Sequence, residues 1–214
     1  MPDQVVRDVR DPRALRAIAH PLRLRILEAV ALSGPATATE IADLVGESPA
    51  NCSWHLRQLA RYGFVAEAGG GIGRQRPWRL AVQGHRWGEG EEAPELARAG
   101  DAAAQVLLEL EYQALLDWLR DRRSEDPRWR DAGFFNQAMG WCTAAELAEL
   151  KEEVRQLFAR YLSRLEDPAS RPPGSRPIRF LAWGVPARAA RRDAPPPTVA
   201  APHPPDGRST PDGG

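Results

Sequence analysis

The densest run of side chains able to make directional contacts lies between Ser48 and Arg61. On a helical wheel of about 100° per residue, Cys52, Leu56, Leu59 and Gly63 share one face. Ala50, Ser53, Trp54, Arg57, Gln58 and Arg61 spread over the opposite face, with Asn51 at its margin. Ser, Asn, Gln and Arg offer donors and acceptors that match base edges and phosphate oxygens. The small residues at the start, Pro49 and Ala50, allow close approach to a groove. A second basic set, Arg74, Gln75 and Arg76, lies in the Gly-rich stretch 69–76. The candidate nucleic-acid contacts are therefore Ser48, Ala50, Asn51, Ser53, Trp54, Arg57, Gln58, Arg61, Arg74, Gln75 and Arg76. The same surface also suits a protein-binding module or a purely structural helix, so those readings stay open on these residues alone.

Several elements must position this set. Asp11-Pro12 predicts a helix with Asp as N-cap and Pro in the first turn, carrying Ala14, Leu15, Ile18 and Ala19. His20-Pro21 ends it and opens a second helix, with Leu22, Ile26, Ala29 and Val30 at helical spacing. Ser33-Gly34-Pro35 ends that one. Thr37 or Thr39 caps a short third helix to Val45, with Ile41, Leu44 and Val45 as its apolar stripe and Gly46 as its stop. Ser48-Pro49 opens the helix 49–62, closed by Gly63. A short turn containing Gly between two helices predicts a helix-turn-helix. The run Phe64 to Ala66, the loop 69–76 and the run Pro77 to Val82 predict a β-hairpin wing, with Pro77 at an edge or strand start.

The rest of the chain has a different texture. Residues 88–100 look like an acidic linker. A long helix is expected over 101–123, with a wide stripe from Ala103 to Leu119. The stretch from Pro127 to Trp141 reads as irregular and aromatic. Trp118, Trp129, Phe134, Phe135, Met139 and Trp141 suit either a small helical core or the lining of a small-molecule effector pocket. Thr143 and Glu146 form a capping-box pattern before a helix to about Glu166. There Leu147, Leu150, Val154, Leu157 and Tyr161 repeat at the spacing of a two-helix seam, a candidate dimer contact. Pro177 to Trp183 reads as a short strand. The expected organisation is a winged helix-turn-helix domain at 11–87, a linker at 88–100, a helical dimerisation and candidate effector region at 101–184, and a disordered Pro/Ala/Gly-rich tail at 185–214. The fold class is mainly α with a small β-hairpin wing.

Composition narrows the functional classes. The 214 residues are 43% hydrophobic and 27% charged, a globular balance. No run of about 18 uncharged apolar residues is present, and the first residues have no apolar core for a signal peptide. Two Cys make no disulfide framework. These features predict a soluble, cytoplasmic protein. The zero net charge hides a segregation: residues 1–87 carry 12 basic and 8 acidic side chains, while 88–170 carry 10 and 18. A basic segment beside an acidic one fits a polyanion partner for the first.

Four pieces of sequence together resemble the ArsR-type winged-helix transcriptional regulators. Leu15 to Leu27 looks like the family's entry segment, and Ala38-Thr39-Glu40-Ile41-Ala42 like the start of its first helix-turn-helix helix. Ser48 to Leu59 looks like its recognition helix. Arg61-Tyr62-Gly63-Phe64-Val65 is similar to its exit into the wing. The likeness covers about residues 11–83. It implies a homodimer that binds double-stranded operator DNA and represses transcription.

The chain departs from that family's metal sensors. No Cys pair lies in Ala38 to Val45, and 143–166 contains no His. With so few clustered Cys and His, no metal site and no cofactor is expected. Cys52 falls on the core face, a packing or sensing position. His20 reads as a backbone-bonding residue at a helix junction, and His55 as a phosphate contact or a packing residue. No nucleophile elbow, P-loop or dinucleotide fingerprint occurs. The run Gly69 to Gly73 leads into a strand and not a helix, so it cannot present a helix N-terminus to phosphate. No catalytic residues are expected.

Overall fold

The computed structural model describes residues 6–70, 76–82, 84–87 and 93–187. The chain divides into residues 1–182 and 183–214, and of the second unit only 183–187 are described, without helix or strand. The first unit is mainly helical, with a small antiparallel hairpin behind two short helices: a winged helix-turn-helix followed by further helices. In order, the elements are β1 (Val6–Asp8), α1 (Pro12–Ile18), α2 (Pro21–Ser33), α3 (Ala38–Val45), α4 (Pro49–Arg61), β2 (Val65–Glu67), β3 (Trp78–Leu80), β4 (Gly84–Arg86), α5 (Pro94–Asp121), α6 (Pro127–Ala132) and α7 (Ala144–Glu166).

Local chemistry explains most of the helix starts. The Asp11 carboxylate accepts from the Arg13 N–H at 2.8 Å, and Pro12 occupies the first turn, where its missing N–H costs nothing. Of the two threonines proposed for α3, Thr37 is the cap. It forms a reciprocal box with Glu40, whose carboxylate accepts from the Thr37 N–H at 2.7 Å. Thr143 and Glu146 repeat the device at α7, with the matching bond also at 2.7 Å.

The core gathers one face of each early helix. Leu15 and Ile18 of α1, Ile26 and Val30 of α2, Ile41 and Val45 of α3, and Cys52, Leu56 and Leu59 of α4 are buried together. Phe64, Val65 and Trp78 bring the base of the hairpin into the same cluster. Ala36 pairs with Trp78 through two backbone bonds of 3.0 and 2.7 Å, an isolated bridge that ties the α2–α3 connection to β3. In the hairpin, Val65 faces Leu80 and Glu67 faces Trp78. β1 and β4 form a separate parallel pair, Val6 opposite Gly84.

Several expectations need correction. Leu44 is exposed and Ala42 takes its place in the core. Residues 94–100, read as part of an acidic linker, are helical: α5 starts at Pro94, not Asp101, and buries Ala99, Gly100 and Ala103. Gly100 lies so close to Trp87 that a Cβ there would stand 3.2 Å from the indole, with Leu15 at 3.8 Å. The first turns of α5 thus belong to the winged-helix core. Part of the irregular stretch is helical as α6. Residues 177–183 form no strand, because no neighbouring strand pairs with them. Phe134, Phe135, Met139 and Trp141 are exposed, so they build neither a core nor a pocket within one chain. Residues 88–92 and most of the expected tail, 188–214, lie outside the described residues.

Candidate nucleic-acid interface

The turn between α3 and α4 is short because Gly46 takes a left-handed conformation, φ 68° and ψ 42°, that other residues adopt only with strain. The Glu47 N–H then closes onto the Ala42 carbonyl at 3.0 Å, and the Ser48 hydroxyl accepts from the Asn51 N–H at 3.2 Å. Ser48 is therefore engaged as the cap of α4. Cys52, His55, Leu56 and Leu59 fix the buried face of α4, following the i, i+3, i+4, i+7 rule.

The opposite face is open. Ala50, Trp54, Arg57 and Arg61 are exposed, and Asn51, Ser53 and Gln58 are half-buried. Two of these side chains are held in place by neighbours. The Asn51 amide donates to Glu47 at 3.0 Å, and Arg57 donates to the Ser53 hydroxyl at 2.8 Å. Arg61 stacks over Tyr62 at 5.8 Å. In the wing, Arg76 is exposed and paired with Glu67 at 2.8 Å. Arg74 and Gln75 lie outside the described residues.

Three arginines from the N-terminal part lock the helices that carry this face. Each donates to carbonyls near a helix C-terminus, where the last C=O groups have no partner within the helix and carry partial negative charge. Arg7, on β1, donates to the carbonyls of Tyr62 at 2.7 Å and Gly63 at 3.2 Å, just past the end of α4. Arg23 donates to the Ala17 carbonyl of α1 at 2.8 Å, and Arg25 to the Val45 carbonyl of α3. Gly63 has φ 71°, and a Cβ there would stand 2.5 Å from the Arg7 guanidinium. The backbone angle favours glycine, and a side chain there would also make the Arg7 guanidinium shift.

Behind α4 sits a cluster of two imidazoles and one guanidinium. The Arg23 Nε–H donates to His55 Nδ1 at 3.2 Å, and the guanidinium lies 5.5 Å from the Trp54 ring centre. Trp54 meets His55 edge-on at 4.7 Å, and His20 lies 4.9 Å from His55. Nδ1 of His20 is buried without a hydrogen-bond partner. Burial lowers the pKa of both histidines, and the neighbouring Arg23 lowers each further. An acceptor role for His55 Nδ1 also requires the neutral ring. The exposed Trp54 is thus positioned from below by a residue of α2.

Residues 18–68 match the model of a helix-turn-helix domain family. The match spans α2, α3, α4 and β2, the elements that build the open face. No curated protein matches the chain.

The wheel's division of α4 holds in the structure, with Ala50, Trp54, Arg57 and Arg61 exposed and Cys52, Leu56 and Leu59 buried; the margin residue His55 falls on the buried side. His55 is buried, so it packs and bonds to Arg23, and does not reach a phosphate. His20 bonds through its backbone at the α1–α2 junction, as read: its N–H donates to the Ile18 carbonyl at 2.7 Å and its carbonyl accepts from the Arg23 N–H at 3.0 Å, while its side chain makes no cap bond. Cys52 is fully buried, and burial, with Glu47 nearby, raises its thiol pKa; Cys142 is exposed. Among the described residues, no three His, Cys, Asp or Glu side chains come together as a metal site would need, and no helix is long and apolar enough to cross a membrane. Arg7, Arg23 and Arg25 were not singled out as positioning residues. Their partners are backbone carbonyls up to 56 residues away, and only the position of each arginine beside a core element hinted at them.

Proposed function

We propose that this protein is a sequence-specific DNA-binding transcriptional regulator of the ArsR-like kind, acting as a homodimeric repressor. The observation that carries the proposal is the open face of α4 in a helix-turn-helix segment: Ala50, Asn51, Trp54, Arg57, Gln58 and Arg61 project away from the core that Cys52, Leu56 and Leu59 anchor. In this reading α4 enters the major groove. Arg57 and Gln58 meet base edges, Trp54 packs on apolar edges such as thymine methyl groups, and Arg61 and the wing arginines meet phosphates. One winged helix reads one half-site, so two copies are needed for an operator with two-fold symmetry. The DNA-reading domain would run from residue 11 through the first turns of α5, since Ala99 and Ala103 complete its core.

The test is fluorescence anisotropy with the full chain on DNA from its own upstream region and on random DNA, at two salt concentrations. The expected result is tighter binding to the upstream DNA, by the roughly 10³-fold or more that separates specific from non-specific binding. Equal, weak binding to both DNAs would favour the alternative, a winged-helix protein–protein module. One observation bears on that alternative: Glu47 lies on the exposed side of the turn and holds Asn51.

A further inference from the structure

We propose that the connector 133–142, with the open face of α7, is the surface on which a second copy of this chain docks, its own symmetry mate covering both. The proposal rests on the homodimer reading above and names where that dimer forms.

The connector from Gly133 to Cys142 contains no charged residue in a chain that is 27% charged. Its large side chains are turned to solvent: Phe134 is 71% exposed, Met139 82%, and Trp141 wholly exposed. Charge depletion with aromatic and Met enrichment marks the centre of protein interfaces rather than ordinary surface. The connector is tethered at both ends. Gly133 lies against the Trp118 ring, where a Cβ would stand 2.4 Å from the indole, and its N–H donates to the Trp129 carbonyl at 3.0 Å. At the other end the Thr143–Glu146 box starts α7.

Along α7 the spacing of Leu147, Leu150, Val154, Leu157 and Tyr161 suits a facing helix. The described contacts on α7 come from the returning segment and lie toward its C-terminal half. Phe180 stacks on Phe158 at 5.1 Å and lies 5.8 Å from Tyr161. Leu150 and Leu157 remain about half exposed. At about 150–250 Å² for each large aromatic side chain, and somewhat less for Met and Leu, the open parts of Phe134, Phe135, Met139, Trp141, Leu150 and Leu157 come to roughly 800 Å². That is about what one partner contributes to a standard stable interface. A second copy is the occupant because a seam of this spacing is complementary to itself, and a two-fold interface uses one patch twice.

The test uses the full chain without DNA. Light scattering at about 10 μM should give a dimer. Phe134→Ser/Phe135→Ser/Trp141→Ser should weaken dimerisation by at least about 100-fold, equivalent to about 2.7 kcal/mol, with the thermal unfolding of the helix-turn-helix core unchanged. Leu150→Glu/Leu157→Glu should do the same and guards against misfolding of the first variant. A monomeric wild type, or variants that dimerise as tightly as wild type, would overturn the proposal. DNA binding is scored separately: an intact dimer that ignores upstream DNA sinks the regulator reading and leaves this surface standing.

Discussion

The contact pair of half-buried His20 and buried His55 gives the most direct handle on how α4 is held. Both pKa values lie below the ordinary 6.5, first because burial disfavours the charged ring. The unfolded chain therefore takes up protons at a pH where the folded one still resists. Stability is full well above pH 6.5 and is lost as pH falls from there toward the lowered folded values. The loss has a ceiling that does not depend on how far each pKa is lowered. Between pH 7.5 and 5.5, one histidine kept neutral in the fold costs at most about 1.4 kcal/mol, and the pair about 3 kcal/mol. For a winged-helix core of about 90 residues that ceiling corresponds to a fall of at most roughly 12–24 °C in Tm. Carboxylates do not confuse the window. Glu40 and Glu146 have pKa values lowered from 4.5, first by the Thr37 and Thr143 backbone N–H groups. Hydrogen bonds from Arg155 and then Gln156 bring Glu152 to about 2. Their contributions are lost only below about pH 4.5. The assay is thermal unfolding by circular dichroism at pH 7.5, 6.5 and 5.5, for wild type and for His20→Gln/His55→Gln. A glutamine at 55 keeps a neutral acceptor for the Arg23 Nε–H. The wild type should lose stability across the window, while the double variant, less stable at pH 7.5, should be flat. A flat wild type, or a double variant that falls as steeply, would refute the buried-neutral reading of the cluster.

Other expected outcomes are as follows. Gly63→Ala should destabilise by at least about 1 kcal/mol from the left-handed backbone alone, more because it displaces Arg7; Arg7→Ala should cost about 1–3 kcal/mol through the freed carbonyls. Urea denaturation measures both, and neutrality of Gly63→Ala would discount the contact. Arg57→Ala should lower discrimination between upstream and random DNA by about 1–3 kcal/mol, while Arg76→Ala should weaken both alike and reduce the salt slope by about one. Anisotropy titrations separate the two, and equal losses for both variants would argue against base reading by α4. Zinc, cadmium or arsenite at micromolar levels should leave DNA affinity unchanged; stoichiometric release of DNA by any of them would point first to Cys52, tested by Cys52→Ser.

What the sequence disclosed was local. Asp11, Thr37, Ser48 and Thr143 cap their helices with partners two or three residues away, so spacing alone reveals them. The inward face of α4 was legible for the same reason, since Cys52, Leu56 and Leu59 lie within two turns. Contacts that close over long stretches were not legible. β1 and β4 are three residues each and pair across nearly eighty positions. The partners of Arg7 and Arg25 are backbone carbonyls, which every residue supplies equally. The alternation of Ile178, Phe180 and Ala182 imitates a strand, but a strand needs a neighbour, and that segment is held by side chains instead. Arg176 pairs with Glu125 at 3.0 Å, and Arg179 reaches Glu28 and, at 2.9 Å, Glu111. The start of α5 carried a readable signal, Pro94-Glu95, which the acidic run before it masked. His55 was ambiguous because a wheel cannot tell a margin that faces solvent from one that faces Arg23.

α5 runs without a break for 28 residues, about 42 Å at 1.5 Å per residue. Its first turns are built into the winged-helix core and its last lead, through α6, to the connector. A continuous helix transmits rotation as faithfully as it transmits distance. Were two copies joined through their connectors as proposed, the angle between their two α4 helices would be a phase written into α5. Adding one residue beyond Ala103 would turn the far end by about 100°. Adding seven would restore it to within about 20° while pushing it just under two turns away. The operator such a dimer accepts would then depend on insertions periodically, alternating between lost and recovered binding, where a hinged linker would give a smooth decline.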